Sequence, residues 1–159
     1  GGAAVVLLLR VTAGMLAGHP AVRFAATTPA PGATGVAFAA EVVISFVLMA
    51  VVLAATNSRR LAPHTPLLCG ALVATYIVVE APLSGMSMNP ARSFASALGA
   101  DHWAALWVYF TAPPLGMLSA GEGYRWLCGA HEVHCAKLHH TAAHRCIFRC
   151  TRRALGEMA

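Results

Sequence analysis

The chain has 159 residues, 58% of them hydrophobic and only 11% charged, with a formal net charge of +5. That length would suit one soluble domain, but the composition lies far from the soluble balance and makes a membrane protein the expectation. Its basic residues gather outside the apolar stretches and no aromatic-basic motif accompanies them, so the charge reads as a topology signal and argues against a nucleic-acid partner.

The opening run, Gly1 to Ala17, has neither an initiating Met nor a basic leader, and so lacks the charged flank of a signal peptide. It is expected to be a partial helix, slightly short for a span, as if the chain were cut inside a helix. Arg10 at a bilayer centre would cost roughly 2.5 to 3.5 kcal/mol, which places it near an end, snorkelling outward. His19 to Gly35, HPAVRFAATTPAPGATG, is too rich in Pro, Gly and Thr for a regular helix and reads as a connecting loop. Val36 to Ala55, VAFAAEVVISFVLMAVVLAA, supplies about the 20 apolar residues that a helix needs to cross the hydrocarbon core.

Asn57-Ser58-Arg59-Arg60 ends that span, and two adjacent arginines there mark the cytoplasmic side. Pro63 and Pro66 lead into a third apolar segment, Leu67 to Ala81, whose Glu80 is expected at its wet end. A polar interruption follows, SGMSMNPARS from Ser84 to Ser93, with a short continuation to His102. The last apolar segment, Trp103 to Leu118, opens with Trp103, Trp107 and Tyr109 as interfacial anchors.

Counting charges tests this topology. With the arginine pair inside, the third span exits and the last span returns, so the C-terminal tail is also inside. That arrangement puts eight of the eleven basic residues on the inner side, leaving only Arg10, Arg23 and Arg92 elsewhere. Ser84 to His102 must then leave and re-enter on the outer side as a re-entrant loop. Such backbone survives at membrane depth only where it is buried in protein or lines a water-filled cavity.

Asn89 is a favoured N-cap, and Pro90 suits the first helical position, so a short helix is expected to start here. Its N-terminus would bring about half an elementary charge of positive potential to the cavity. Arg92 should share a face with Asn89, and Ser93 and Ser96 should continue it. Ser84, Gly85, Met86 and Ser87 are small enough, as a loop, to present carbonyl oxygens to the same cavity. Acceptors, a carboxamide donor, a positive helix end and a fixed cation along one path describe a passage for neutral hydrogen-bonding molecules that repels cations.

SGMSMNPARS resembles the second Asn-Pro-Ala signature of the aquaporin and glycerol-facilitator (major intrinsic protein) family. GGAAVVLLLRVTAG looks like that family's third span, Val36 to Ala55 its fourth and Leu67 to Ala81 its fifth; Pro90 to Leu98 looks like the second half-helix and Trp103 onward the sixth span. The likeness covers residues 1 to about 127. It implies an all-α membrane protein, the C-terminal portion of an aquaporin-like bundle, with about four transmembrane helices and one re-entrant half-helix. Residues 1–127 would form the partial transmembrane domain and 128–159 a cytoplasmic Cys/His-rich basic tail.

The family's architecture implies two inverted repeats whose asparagines meet at the midplane, in a homotetramer of the plasma (cell inner) membrane. This chain carries one such motif, so it is expected to be the C-terminal part of a longer, bacterial-type member. The implied pore residues are Asn89, Pro90, Ala91, Arg92, Gly85, Ser87, Met86 and Ile77. Ile77 lies twelve residues before Asn89, where water-selective members usually have histidine and solute-permeable members tend to have glycine. Met86 replaces the small residue or aromatic often seen three before the motif Asn. Water against glycerol stays open, and Ile77 could equally be plain core packing. Glu41 sits six residues into a span, where a carboxylate is expensive and faces the bundle interior with a partner. The family's matching glutamate braces the pore loop; an ordinary interhelical hydrogen bond is the alternative.

The tail, HEVHCAKLHHTAAHRCIFRC, is a separate signal. Cys135 and His139, like Cys146 and Cys150, are four apart and would share helix faces as a zinc set, with His134, His140 and His144 as spare ligands. The competing reading is a basic amphipathic tail on anionic lipid, with Ile147 and Phe148 dipping in. Cys69 reads as a small hydrophobe. Apart from that zinc, no cofactor is expected. No nucleophile-base pair, phosphate loop or paired carboxylates appear, which argues against an enzyme. The leading function is a passive channel for water or small uncharged solutes; a metal-binding or membrane-anchored interaction module, or a fragment without function, are the alternatives.

Overall fold

The computed structural model describes residues 1–58 and 60–129. The tail expectations, Cys135, His139, Cys146 and Cys150 among them, lie outside the described residues. Every described element is helical: α1 (Gly2–Ala17), a 3-10 turn (Arg23–Ala25), α2 (Thr34–Thr56), a second 3-10 turn (Ala62–His64), α3 (Thr65–Val79), α4 (Ala81–Ser84), α5 (Pro90–Ala100) and α6 (Leu106–Cys128).

Four long helices and the short α5 thus stand where the apolar pattern put them. Of these, α2 and the segment Ala62–Val79 are long and apolar enough to cross a membrane by length and composition. α1 is apolar but spans only 16 residues, and it kinks at Ala13. α6 is 23 residues long, but Pro113 and Pro114 lie inside it and an exposed Glu122–Arg125 ion pair at 2.9 Å marks its last turns. Proline inside such a helix is tolerated where neighbouring helices cover the freed carbonyls.

The core is the seam between α2 and α6. Ala37 and Ile44 on one side and Val108, Tyr109 and Ala112 on the other are buried, with Phe38 and Val42 packed against the last three. The two backbones approach so closely that a Cβ on Gly116 would overlap the Val42 carbonyl and stand 3.0 Å from the Phe46 nitrogen. Small residues permit this approach, which matters in lipid because the hydrophobic effect gives no reason for one apolar helix to prefer another. α1 lies against α5 on the same terms: Gly2 would place a Cβ 3.2 Å from that of Ala95.

The structure corrects three expectations. Tyr109, placed among the interfacial anchors, is fully buried, whereas Trp103 and Trp107 are exposed; two residues apart on α6, Trp107 and Tyr109 point to roughly opposite faces. Glu80 is 4% exposed, not at a wet end. α3 stops at Val79, since Pro82 has no N–H to give to Val78, and the break folds Glu80 under α4. Arg10 lies mid-helix along α1, with Nη1 3.5 Å from the Leu98 carbonyl near the far end of α5.

Candidate functional site

The site is built on the start of α5. Asn89 has extended backbone, φ −146° and ψ 109°, and its Oδ1 accepts from Ala91 N at 2.9 Å and Arg92 N at 3.4 Å. That cap uses the oxygen of the carboxamide, and among the described residues its NH₂ group has no protein acceptor. Pro90 occupies the next position, where a missing N–H costs nothing. Asn89, with its unbonded NH₂, and Arg92 are both exposed.

The loop that delivers Asn89 is strained. Gly85, Met86 and Met88 take positive φ values of 79°, 48° and 49°. For the two methionines such a backbone costs on the order of 1–3 kcal/mol each. Something must hold it.

That something is Glu41 of α2, fully buried. Its Oε1 accepts from Ser84 Oγ and from Ser87 N, both at 2.6 Å, and its Oε2 from Met88 N at 2.8 Å. Three donors converge on one carboxylate, and two of them are backbone N–H groups that the irregular loop could not otherwise satisfy. From α6 the Tyr109 hydroxyl donates to the Ser84 carbonyl at 2.5 Å. From the connector after α1, Ala30 N donates to the Leu83 carbonyl at 3.0 Å. Ser84 is therefore the hub: its hydroxyl proton goes to Glu41, and it accepts from Met86 N at 3.1 Å. Glu80 is left without a donor, and neither of its carboxylate oxygens has a hydrogen-bond partner among the described residues.

Asn89, Ala91 and Arg92 line a groove of about 490 Å³ together with Val5 and Val6 of α1, Phe24 of the connector, and Ala95 and Ser96 of α5. Arg92 folds back over the loop, Nη1 donating to the Gly85 carbonyl at 3.3 Å. The remaining candidates are distributed differently. Ile77 is 55% exposed on α3 and is not part of the groove lining. Met86 and Ser87 are buried, at 7% and 4% exposure. The Ser84 carbonyl is taken by Tyr109, so of the four loop residues it is Gly85 whose oxygen meets the arginine.

Ser93 departs from the expected face. It is fully buried and bonded to Thr27 and Ser87, while Asn89 and Arg92 are exposed. Four residues on from Asn89 the helix has turned about 40° past a full turn, enough to bring Ser93 under the loop. Ser96, by contrast, does reach the groove.

Tyr109 and Thr27 belong to the site but were not singled out for it, whereas Ser84, expected to offer its carbonyl to the cavity, gives that oxygen to Tyr109. A tyrosine inside an apolar stretch does carry a signal, since a buried hydroxyl needs a partner; which partner is a matter of tertiary structure. Among the described residues no group of three or more His, Cys, Asp or Glu could hold a metal ion.

Comparison with known proteins identifies the family. The family model described as Major intrinsic protein matches residues 1–124. The chain is 38% identical over 109 residues to Aquaporin NIP3-1 of Zea mays, covering 67% of this chain and 36% of that protein. It is 42% identical over 105 residues to Aquaporin NIP1-2 of Oryza sativa subsp. japonica, covering 65% and 34%. It is 40% identical over 107 residues to Aquaporin NIP6-1 of Arabidopsis thaliana, covering 67% and 35%. These three are plant proteins and lend no support to a bacterial type. The matched part of the chain spans about a third of the length of each of these relatives. With the family model covering most of its length, the chain belongs to the major intrinsic protein family of integral membrane proteins.

Proposed function

We propose that this chain supplies one half of a passive channel for water or small uncharged solutes, residues 1–127 forming the membrane part and 128–159 a cytoplasmic tail. The observation that carries the reading is the Asn89 cap, whose NH₂ group is free beside Arg92 on the groove while Glu41 holds the loop from behind. A permeant would exchange hydrogen bonds with water for one from Asn89, and the helix end and Arg92 would repel cations. Asn89, Pro90, Ala91, Arg92 and the Gly85 carbonyl form the polar path in this reading. Ile77, outside the groove, is left to the wall that the second half of the pore would complete, and Met86 and Ser87 act from behind by shaping the loop.

The second half of the pore would come from a matching repeat in the complete protein, assembled as a homotetramer in the plasma membrane. That fits a single motif in a chain matching about a third of its relatives' length. Stopped-flow light scattering on proteoliposomes holding the complete protein tests it. Osmotic water or glycerol permeability well above that of empty vesicles is expected; folded protein with vesicles no leakier than empty ones would refute the reading.

A further inference from the structure

Three buried hydroxyls form a continuous string from the connector after α1 to the cap of α5. Thr27 Oγ1 donates to Ser93 Oγ at 2.6 Å, the Ser93 and Ser87 hydroxyl oxygens are 2.5 Å apart, and Ser87 Oγ donates to the Asn89 carbonyl at 3.0 Å. A hydroxyl has one proton to give. Because the Thr27 proton goes to Ser93 and the Ser87 proton goes to Asn89, Ser93 must give its own to Ser87. The string therefore runs one way, Thr27 to Ser93 to Ser87 to Asn89, and hydrogen bonds aligned in one sense reinforce each other.

The same Ser87 oxygen accepts from Asn89 N at 3.2 Å, so both backbone polar groups of Asn89 close on one side chain. Thr27, Ser87 and Ser93 are all buried. The connector is docked beyond this bond too: a Cβ on Gly85 would lie 2.9 Å from Thr28 N, and Ala30 is tied to Leu83.

We infer that Thr27, acting through Ser93 and Ser87, is a positioning residue for Asn89. It sets the angle at which the carboxamide meets a permeant, and the connector between α1 and α2 thereby tunes discrimination among small neutral hydrogen-bonding solutes. Thr27 touches no permeant itself. The inference rests on the channel reading above and adds a residue some sixty positions from the motif.

The test compares Thr27→Val, which keeps the shape and removes the donor, with Thr27→Ser, which keeps the donor, and with Ser93→Ala as a second break in the string. All are made in the complete protein. Two quantities are read: the glycerol-to-water permeability ratio in proteoliposomes, and deuterium exchange at the Ala91 and Arg92 amides against that of the α2 amides. Loss of one buried neutral hydrogen bond predicts exchange at the cap faster on the order of tenfold, with α2 unchanged. The permeability ratio shifts with it, and Thr27→Ser restores both. Unchanged cap exchange in Thr27→Val, or a Thr27→Ser protein as altered as Thr27→Val, overturns the inference. Faster exchange with an unchanged ratio makes Thr27 a structural tie and overturns it as well. Should the unsubstituted channel prove impermeable, the channel reading falls and the exchange comparison alone decides the string.

Discussion

Two regions of this chain face the same difficulty, cohesion in a medium as apolar as their own side chains, and meet it differently. The α2–α6 seam relies on closeness: small residues let the backbones meet, and shape alone sets the register. The α4–α5 loop relies on direction, with Glu41, Tyr109 and Thr27 reaching in from different segments, Glu41 to three specific donors and the other two to one specific oxygen each. The contrast teaches that packing suffices where the backbone is regular and already satisfied. Backbone that has left the helix must bring its own partners, and here they are buried side chains.

Substitutions can break this contrast, and the largest effect is expected at the loop. Glu41→Ala orphans three donors at about 1–3 kcal/mol each, so roughly 3–9 kcal/mol of stability should be lost in thermal unfolding of the detergent-solubilised protein, together with permeability. Unfolding near the wild-type temperature would mean that the strained loop finds other support. At the seam, Gly116→Val forces a side chain into the α2 backbone and should cost about 1–3 kcal/mol as overpacking. Its signature differs from that of Glu41→Ala: deuterium exchange should rise along α2 and α6 before it rises at Ser87 and Met88.

Smaller changes sharpen the same comparison. Tyr109→Phe removes one donor from the Ser84 carbonyl and should cost about 1 kcal/mol, while leaving the seam packed because the ring remains. A loss several times larger would make Tyr109 a member of both regions. Glu80→Gln should have the smallest effect, within about 0.5 kcal/mol of wild type or stabilising, since an unpaired buried carboxylate is costly and a neutral amide much less so. A marked loss of stability in that variant would show that Glu80 has a partner outside the described residues.

Much of the frame was legible because its causes are local. A run of about 20 apolar residues can hardly be anything other than a span, and α2 extends it by two residues at the start and one at the end. Asn89 followed by Pro90 is a cap by the chemistry of those two residues, and the cap is there. Glu41 announced that it needed a partner by its cost alone; the identity of its donors was not readable, since Ser84, Ser87 and Met88 lie more than forty residues away. Ser93 was misjudged because helical spacing gives relative angles and not which side is covered. Tyr109 was misjudged because its neighbour Trp107 really does face outward. Glu80 was misjudged because a proline two residues on turned the chain back.

By itself the amino-acid order determined where the chain is helical, where it must break, and which residue caps the short helix, because hydropathy, proline and capping act within a few neighbouring positions. Which hydroxyl meets which oxygen was decided only when α2, α6 and the connector closed around the loop. A hydrogen bond depends on distance and angle between atoms whose separation along the chain carries no information about either.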